Sequence, residues 1–401
     1  MSAAGGVRAE VGFIPAIEGM RGVAVLWVIA FHYLALREGA PGDALVAALK
    51  AWPPLEAFAR NGYLGVDLFF LITGFLLTLP WFRHADAGLP APDWRAFHAR
   101  RARRILPAYY AHLVILFFVV LPLLHPRIWI QSTPFATFNL GAHFAFLHYT
   151  SPLTSSSMTV NGALWTLAIE AQYYLLVPFV APLFVKWPLR CLAASFAIAA
   201  GWRWLAWHDL DRLASLYLQL GARAGVSEKE VRHLIATQLP AWAFHFGLGI
   251  VLGRAWMLRA GKPVSGWRQG WPFVLAALAA WALHGILRGG TAIFGEMGWA
   301  AFPVLLAAGF GAIVSWRSPA LERLAGATPL AWTGRVSYSA YLYHLPLLLL
   351  LNAHASGMDG VLAPFAYLAT VLAAAAASYR FVERPYLAGT DHSKTSRSSR
   401  M

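Results

Sequence analysis

The stretch RGVAVLWVIAFH, residues 21–32, has an arginine and a histidine at the two ends of an almost uninterrupted apolar run. At about 100° and 1.5 Å per residue, Arg21 and His32 lie on nearly the same face of a helix, about 16 Å apart along its axis. The hydrocarbon core of a bilayer is about 30 Å thick. With Arg21 at one interface, the sequence predicts that His32 lies near the middle of the membrane.

The composition indicates a polytopic membrane protein. Of 401 residues, 59% are hydrophobic and 12% are charged, whereas soluble proteins carry about 25% charged residues. The 18 Trp and 14 Tyr suit a chain that crosses two lipid–water interfaces. The single cysteine, Cys191, excludes an internal disulfide and a cysteine-based metal cluster. The first residues show no pattern of a cleavable signal peptide.

Apolar runs of membrane length predict ten spanning helices. They cover 15–36, 62–82, 107–125, 163–185, 189–207, 240–258, 271–287, 299–316, 336–355 and 361–381. A further apolar stretch at 135–149 is short and interrupted by polar residues, so we interpret it as re-entrant or interfacial. The predicted fold class is an all-α polytopic membrane protein.

The distribution of charge predicts that both termini are cytoplasmic. With the N-terminus inside, the cytoplasmic segments and adjoining helix ends hold about two thirds of the 32 Lys and Arg residues. This topology accounts for most of the +14 net charge without nucleic acid. We expect a multi-pass protein of the cytoplasmic (inner) membrane. Its cytoplasmic N-terminus covers 1–14, its transmembrane domain 15–386, and a disordered cytoplasmic tail 387–401.

Five ionisable side chains stand out inside the predicted spans: His32, Asp67, Glu170, His245 and His344. Such groups are costly in a bilayer, so they mark a candidate site. His32, Asp67 and Glu170 are predicted at similar depth, whereas His344 is predicted in the inner half. A helix–helix hydrogen bond is the favoured interpretation of His245. For Asp67 and Glu170, a structural role is an equal alternative.

The stretch FHARRARRILPAYY, residues 97–110, is strongly basic at the cytoplasmic end of the third predicted span. Four arginines lie within it: Arg100, Arg101, Arg103 and Arg104. Pro107 is expected to limit how far the helix runs straight into the membrane. Basic juxtamembrane clusters anchor to anionic lipid, and arginine forks also bind phosphate. On the residues alone, both interpretations stay open.

Six segments follow one another in a recognisable order. They are the Arg21 and His32 pair, GVDLFFLITGFLL at 65–77, RRARRILPAYY at 100–110, LWTLAIEAQYYLLVP at 164–178, SYSAYLYHLP at 337–346 and FVERP at 381–385. Together they resemble the acyltransferase-3 family of integral-membrane O-acyltransferases. The chain departs from the family at Ala171, where a second Glu is common, and at Thr73, where Ser is usual. It also ends without the esterase-like domain of many relatives, so activity is expected in the membrane core.

The resemblance implies transfer of an acyl group, with acetyl as the expected group, from cytoplasmic acyl-CoA to a hydroxyl of an extracytoplasmic or lipid-linked saccharide. The expected partners are acyl-CoA, the hydroxylated acceptor and the bilayer, with no permanently bound cofactor, no metal and no nucleic acid. His32 is the expected general base, because the pKa of a neutral imidazole suits proton transfer near neutral pH. Asp67 or Glu170 is expected to orient the imidazole or to bind the acceptor.

The donor is expected to bind at the cytoplasmic side. Arg21 and the arginines at 100–104 are placed to hold the phosphates of CoA, and its pantetheine arm then runs inward between helices toward His32. For His344 two roles are equally favoured. It either reaches the pantetheine arm or donates a hydrogen bond to the backbone carbonyl that loses its helical partner at Pro346.

Two other functions remain open on the sequence. One is O-acylation of a small molecule such as a macrolide, and the other is a transporter or flippase that uses the buried ionisable groups as a path. A transporter or flippase would give no reason for the arginine cluster, and the sequence shows no clear inverted repeat. The segments 126–162 and 208–239 are predicted on the outer face, the latter with surface helices and a capping box from Ser227 to Glu230. These surface helices either shape acceptor access or cover the bundle, and the sequence does not decide between the two.

Overall fold

The computed structural model describes residues 14–39, 42–127, 133–155, 161–208, 215–220, 226–259, 292–315, 328–354 and 360–388. Within these ranges the chain is helical, with no strand. Helices satisfy their own backbone hydrogen bonds, which lipid cannot do, so this architecture suits a chain of such apolar composition.

The helices follow one another with short connections wherever the structure describes them. The first seven are α1 (Pro15–Arg37), α2 (Ala44–Ala51), α3 (Pro53–Arg60), α4 (Gly65–Asp86), α5 (Trp94–Ile115), α6 (Thr133–Phe144) and α7 (Trp165–Lys186). The others are α8 (Pro188–His208), α9 (Glu228–Ala236), α10 (Leu239–Arg259), α11 (Ala292–Ser315), α12 (Thr328–Arg335), α13 (Ser337–His354), α14 (Leu362–Ser378) and α15 (Arg384–Ala388). A π-helical turn at Leu116–Val120 extends α5 to Leu124, and another at Tyr379–Glu383 joins α14 to α15.

Six helical segments of the described chain are long and apolar enough to cross a membrane, which makes this a multi-pass membrane protein. They are Pro15–Arg37, Gly62–Asp86, Trp94–Leu124, Gly162–Lys186, Leu239–Leu258 and Leu362–Leu387. The predicted spans 189–207, 299–316 and 336–355 correspond to α8, α11 and α13. The predicted span 271–287 and most of the predicted tail lie outside the described residues.

The stretch at 135–149 does not form a span. Its helix α6 has 12 residues, which is ~18 Å of helix against a core of about 30 Å. The hydroxyls of Tyr109 and Tyr110 donate to the carbonyls of His143 and Phe144, at 3.1 and 3.2 Å, and so fix the end of α6 against α5. The capping box is also confirmed, because Ser227 and Glu230 exchange both hydrogen bonds at the start of α9.

Helix α5 begins earlier than the sequence predicted. The predicted span starts at 107, whereas the helix starts at Trp94, where the carboxylate of Asp93 accepts hydrogen bonds from the backbone of Arg95 and Ala96. Pro107 lies inside the helix and does not end it. A proline removes one backbone hydrogen bond, and packing against neighbouring helices makes that loss tolerable in a membrane. All four arginines therefore stand on one continuous helix.

Helices α4 and α10 cross at close range in the middle of the bundle. A Cβ atom on Gly74 would overlap the backbone carbonyl of Phe246, and one on Gly249 would overlap that of Leu71. Small residues allow the two backbones to approach this closely, and the close approach gives van der Waals contact along both helices.

Replacing Gly249 by alanine is expected to destabilise the protein by about 1–3 kcal/mol, because the added methyl group forces α4 and α10 apart. The measurement is the apparent midpoint of thermal unfolding in detergent. Gly309→Ala is the matched control, since a Cβ at Gly309 meets nothing within 4 Å among the residues that the structure describes. Because alanine has a higher helix propensity than glycine, Gly309→Ala should raise the free energy of unfolding by up to about 1 kcal/mol. A midpoint for Gly249→Ala equal to or above that of Gly309→Ala would contradict the close crossing.

Candidate functional site

A cavity of about 510 Å³ lies between α1, α4, α5, α7 and α13. On α4 its wall runs from Val66 to Pro80, ~21 Å of helix. We call it the arginine cavity, because its charged residues near the start of α1 and α5 are Glu18, Arg21, Arg100, Arg101 and Arg104. Its opposite end, near the start of α4 and α7, is formed by Val66, Phe69, Phe70, Thr166 and Tyr341. The cavity is therefore elongated, cationic at one end and mainly aromatic at the other.

Three of the four predicted arginines of α5 line the arginine cavity, and one does not. At about 100° per residue, Arg100, Arg101 and Arg104 fall within an arc of about 100°. Arg103 lies about 60° outside that arc, and it is exposed and absent from the cavity wall. The helical phase thus separates Arg103 from its neighbours, although all four look alike in the sequence.

Three residues of the cavity wall carry polar atoms that are buried and have no hydrogen-bond partner in the described part of the chain. They are Oε2 of Glu18, Nε of Arg101 and Oγ of Ser337. Buried polar atoms in folded proteins are normally paired. These atoms offer two kinds of acceptor and one donor to a cavity, which suits a ligand that carries both anionic groups and N–H groups. The other oxygen of Glu18 lies 3.5 Å from Arg21.

Glu170 belongs to the arginine cavity. Its Oε1 accepts hydrogen bonds from Thr73 at 2.9 Å and from Tyr174 at 2.5 Å. Thr73 thus supplies the hydroxyl at the position where the family usually has serine. The carboxylate compensates part of the positive charge of the arginines that share its cavity.

Asp67 pairs with His245 in the packing between α4 and α10. Nε2 of His245 donates to Oδ1 of Asp67 at 2.8 Å, and both residues are buried. The interpretation of His245 as a helix–helix hydrogen bond is therefore confirmed, with Asp67 as its partner. Asp67 and Glu170 take different partners, so the structure does not bring these two carboxylates together at one site.

His32 pairs with His344. Nδ1 of His32 lies 3.0 Å from the carbonyl oxygen of Val28 and 3.2 Å from Nε2 of His344. Nδ1 of His344 lies 2.7 Å from the carbonyl oxygen of Tyr341. His344 is completely buried, whereas His32 is only half-buried.

The depth of His344 differs from the prediction, which placed it in the inner half of its span, apart from His32. The chain reaches α13 through α12, which packs along the first half of α1, with Gly334 against the backbone of Glu18 and Gly22 against that of Leu330. Helix α12 thus runs antiparallel to α1 and ends beside Glu18, close to where α13 begins. Farther along α1 and α13, the rings of His32 and His344 meet with their centroids 4.9 Å apart, so the two residues lie at the same level.

The aromatic end of the arginine cavity lies one layer of side chains from this histidine pair. Tyr341 lines the cavity, and its ring centroid is 5.4 Å from that of His344. Its hydroxyl donates to the carbonyl of Ala163 at 2.9 Å and accepts from Thr166 at 2.8 Å. The ring of Tyr341 thus stands between the cavity and the histidines.

Sequence reasoning did not single out Glu18, Ser337 or Tyr341. Glu18 had a weak signal, since it precedes Arg21 by one helical turn and the two residues face the same side. Ser337 and Tyr341 lie in SYSAYLYHLP, where only the histidine is ionisable near neutral pH, so nothing in the composition distinguished them.

Comparison with known proteins identifies relatives over nearly the whole chain. A family model described as an acyltransferase domain matches residues 14–380. The peptidoglycan O-acetyltransferase OatA of Listeria monocytogenes is 25% identical over 93% of this chain and 56% of its own length. Nodulation protein 10 of Rhizobium leguminosarum bv. viciae is 25% identical over 70% of each chain. The regulator of hypoxia-inducible factor 1 of Caenorhabditis elegans is 29% identical over 46% of this chain and 39% of its own length. No solved structure gives a significant match.

Proposed function

This chain belongs to the acyltransferase-3 family, and we propose that it transfers an acyl group, acetyl above all, from acyl-CoA to a hydroxyl of a saccharide. The observation that carries the proposal is the elongated arginine cavity, which is cationic at one end and is lined at the other by Tyr341, whose ring packs on His344, the neighbour of His32. The proposal includes ten spans in the inner membrane with both termini cytoplasmic, so that acyl-CoA approaches from the cytoplasm.

The arginines of the cavity would hold the phosphates of CoA. Guanidinium groups offer paired donors that match phosphate oxygens, and such charge-assisted hydrogen bonds are about twice as strong as neutral ones. Arg21, Arg101 and Arg104 face one cavity from two helices, which allows them to surround a phosphate group. A lipid headgroup on the exposed side of α5 would instead meet Arg103.

The unpartnered atoms of the wall suit the remainder of the donor. CoA carries amide N–H groups in its pantetheine arm and an amino group on adenine, and each requires an acceptor when it leaves water. Oε2 of Glu18 and Oγ of Ser337 are such acceptors. The ~21 Å length of the cavity along α4 suits a slender arm that extends from the arginines toward Tyr341.

His32 would act as the general base. Its imidazole takes the proton of the acceptor hydroxyl as that oxygen attacks the thioester carbonyl, and it returns the proton to the departing thiolate of CoA. For this step the thioester has to pass the ring of Tyr341. We propose direct transfer without an acyl-enzyme, because the sequence contains no nucleophile-elbow pattern.

The acceptor is proposed to be a saccharide of the cell envelope. The relative from Listeria is named a peptidoglycan O-acetyltransferase, so fragments of peptidoglycan are the first acceptors to test. Beside His32 lie Phe31 and, packed against it, Tyr63, which is 47% exposed. These rings offer a surface by which an acceptor reaches the base.

The test uses the full chain in lipid nanodiscs with radiolabelled acetyl-CoA and disaccharide fragments of peptidoglycan. We expect saturable binding of acetyl-CoA and transfer of the label to the fragments as an alkali-labile ester. If acetyl-CoA and longer acyl-CoAs all fail to bind, the donor assignment is wrong, and transport becomes the better hypothesis. Binding with transfer only to a small hydroxylated molecule, such as a macrolide, would overturn the saccharide assignment alone.

A further inference from the structure

We propose that His344 is a positioning residue that fixes the tautomer and the orientation of His32, and that it does not contact the acyl donor. The inference rests on the proposed role of His32 as the base. It assigns to His344 a different role from either of those expected from the sequence, which were contact with the pantetheine arm and satisfaction of the backbone at Pro346.

The hydrogen-bond partners determine where the protons are. Nδ1 of His344 faces the carbonyl oxygen of Tyr341 at 2.7 Å, and a carbonyl only accepts, so this nitrogen carries the proton. A neutral imidazole has one N–H, which leaves Nε2 of His344 as an acceptor. That atom lies 3.2 Å from Nδ1 of His32.

The same reasoning then applies to His32. Its Nδ1 faces two acceptors, the carbonyl oxygen of Val28 at 3.0 Å and Nε2 of His344. Nδ1 therefore carries the proton and shares it between them, as in other three-centre hydrogen bonds. Nε2 of His32 is left without a proton, and this is the atom that a general base requires. When Nε2 of His32 takes a proton, the hydrogen bond from Nδ1 of His32 to His344 becomes charge-assisted and stronger. His344 therefore stabilises the transition state more than it stabilises the ground state.

The surroundings of His344 argue against the two other roles. It is completely buried, it does not line the arginine cavity, and the ring of Tyr341 stands between it and the cavity. The carbonyl of Leu342, which Pro346 deprives of its helical donor, accepts from Nδ2 of Asn161 at 3.0 Å. The backbone at the proline is thus satisfied without the imidazole.

The test compares His344→Leu with His344→Gln in the full chain in nanodiscs. The oxygen of a glutamine amide can stand where Nε2 stands, so Gln keeps an acceptor for His32 and Leu does not. We expect His344→Leu to lower kcat for acetyl transfer by about 10- to 100-fold, with the KM for acetyl-CoA within about twofold of wild type. His344→Gln should recover most of the lost kcat. Unchanged binding of acetyl-CoA shows that both variants are folded.

The second measurement is the tautomer of His32 by solid-state NMR of protein labelled with ¹⁵N-histidine, with the His32 signals identified by their loss in His32→Ala. We expect a proton on Nδ1 in the wild type and in His344→Gln, and a population with the proton on Nε2 in His344→Leu. Wild-type kcat in His344→Leu, or a raised KM for acetyl-CoA with unchanged kcat, would overturn the inference. Full activity of His32→Ala would instead show that the proposed base is wrong.

Discussion

Replacing His32 by alanine is expected to lower kcat for acetyl transfer by about 10²–10⁴-fold, the usual contribution of a general base. The loss should fall on kcat and leave the Kd for acetyl-CoA unchanged, because His32 is not among the described residues that line the arginine cavity. The measurement is single-turnover transfer of radiolabel together with calorimetric binding of acetyl-CoA to the same nanodisc preparation.

The matched control for His32 is His354→Ala. His354 ends α13, is exposed, and, within the described part of the chain, bonds to the helix backbone one turn before it. Its removal should change kcat by less than about twofold, as expected of an exposed residue away from the site. A His32→Ala enzyme with more than about a tenth of wild-type kcat would show that another group takes the proton.

Replacing Arg101 and Arg104 together by alanine is expected to weaken binding of acetyl-CoA by about 10²–10⁴-fold. Each residue is assigned a charge-assisted hydrogen bond to phosphate worth about 1.5–3 kcal/mol, and every 1.4 kcal/mol is about tenfold in Kd. Calorimetric titration of acetyl-CoA into nanodiscs measures the change. Titration of dephospho-CoA and of pantetheine then shows which phosphates the two arginines hold.

The control is Arg103→Ala, which removes the same charge from the same helix. Because Arg103 is exposed and outside the cavity wall, the Kd for acetyl-CoA should change by less than about threefold at physiological salt, where distant exposed charges are screened. Equal losses in Arg103→Ala and in the double variant would mean that the cluster acts through its overall field or through lipid, and that the arginine cavity is not the donor site.

The sequence predicted the site in parts. It singled out Arg21, Glu170, the two histidines and the arginines of α5, of which Arg103 does not line the cavity, because a charge within an apolar run is costly and therefore conspicuous. It did not identify Ser337 or Tyr341, since a hydroxyl within an apolar run carries little cost once it is hydrogen-bonded. Nor did it predict which residues pair, because a pair needs the rotation and depth of two helices from distant parts of the chain.

The sequence by itself determined the class of protein, the positions of most helices and the family. Hydrophobicity and charge act on each segment independently of the others, so the membrane character of α1, α4 and α7 can be deduced without knowing their neighbours.

Only the tertiary structure decided which face of each helix serves the site. The phase of α5 separates Arg103 from Arg101 and Arg104, and the packing of α13 against α1 brings His344 to His32. These arrangements depend on how side chains from several helices fill one interior, and the free energy of such packing belongs to the whole set of contacts. Asp67 shows the consequence, since a residue predicted to join His32 packs instead against His245.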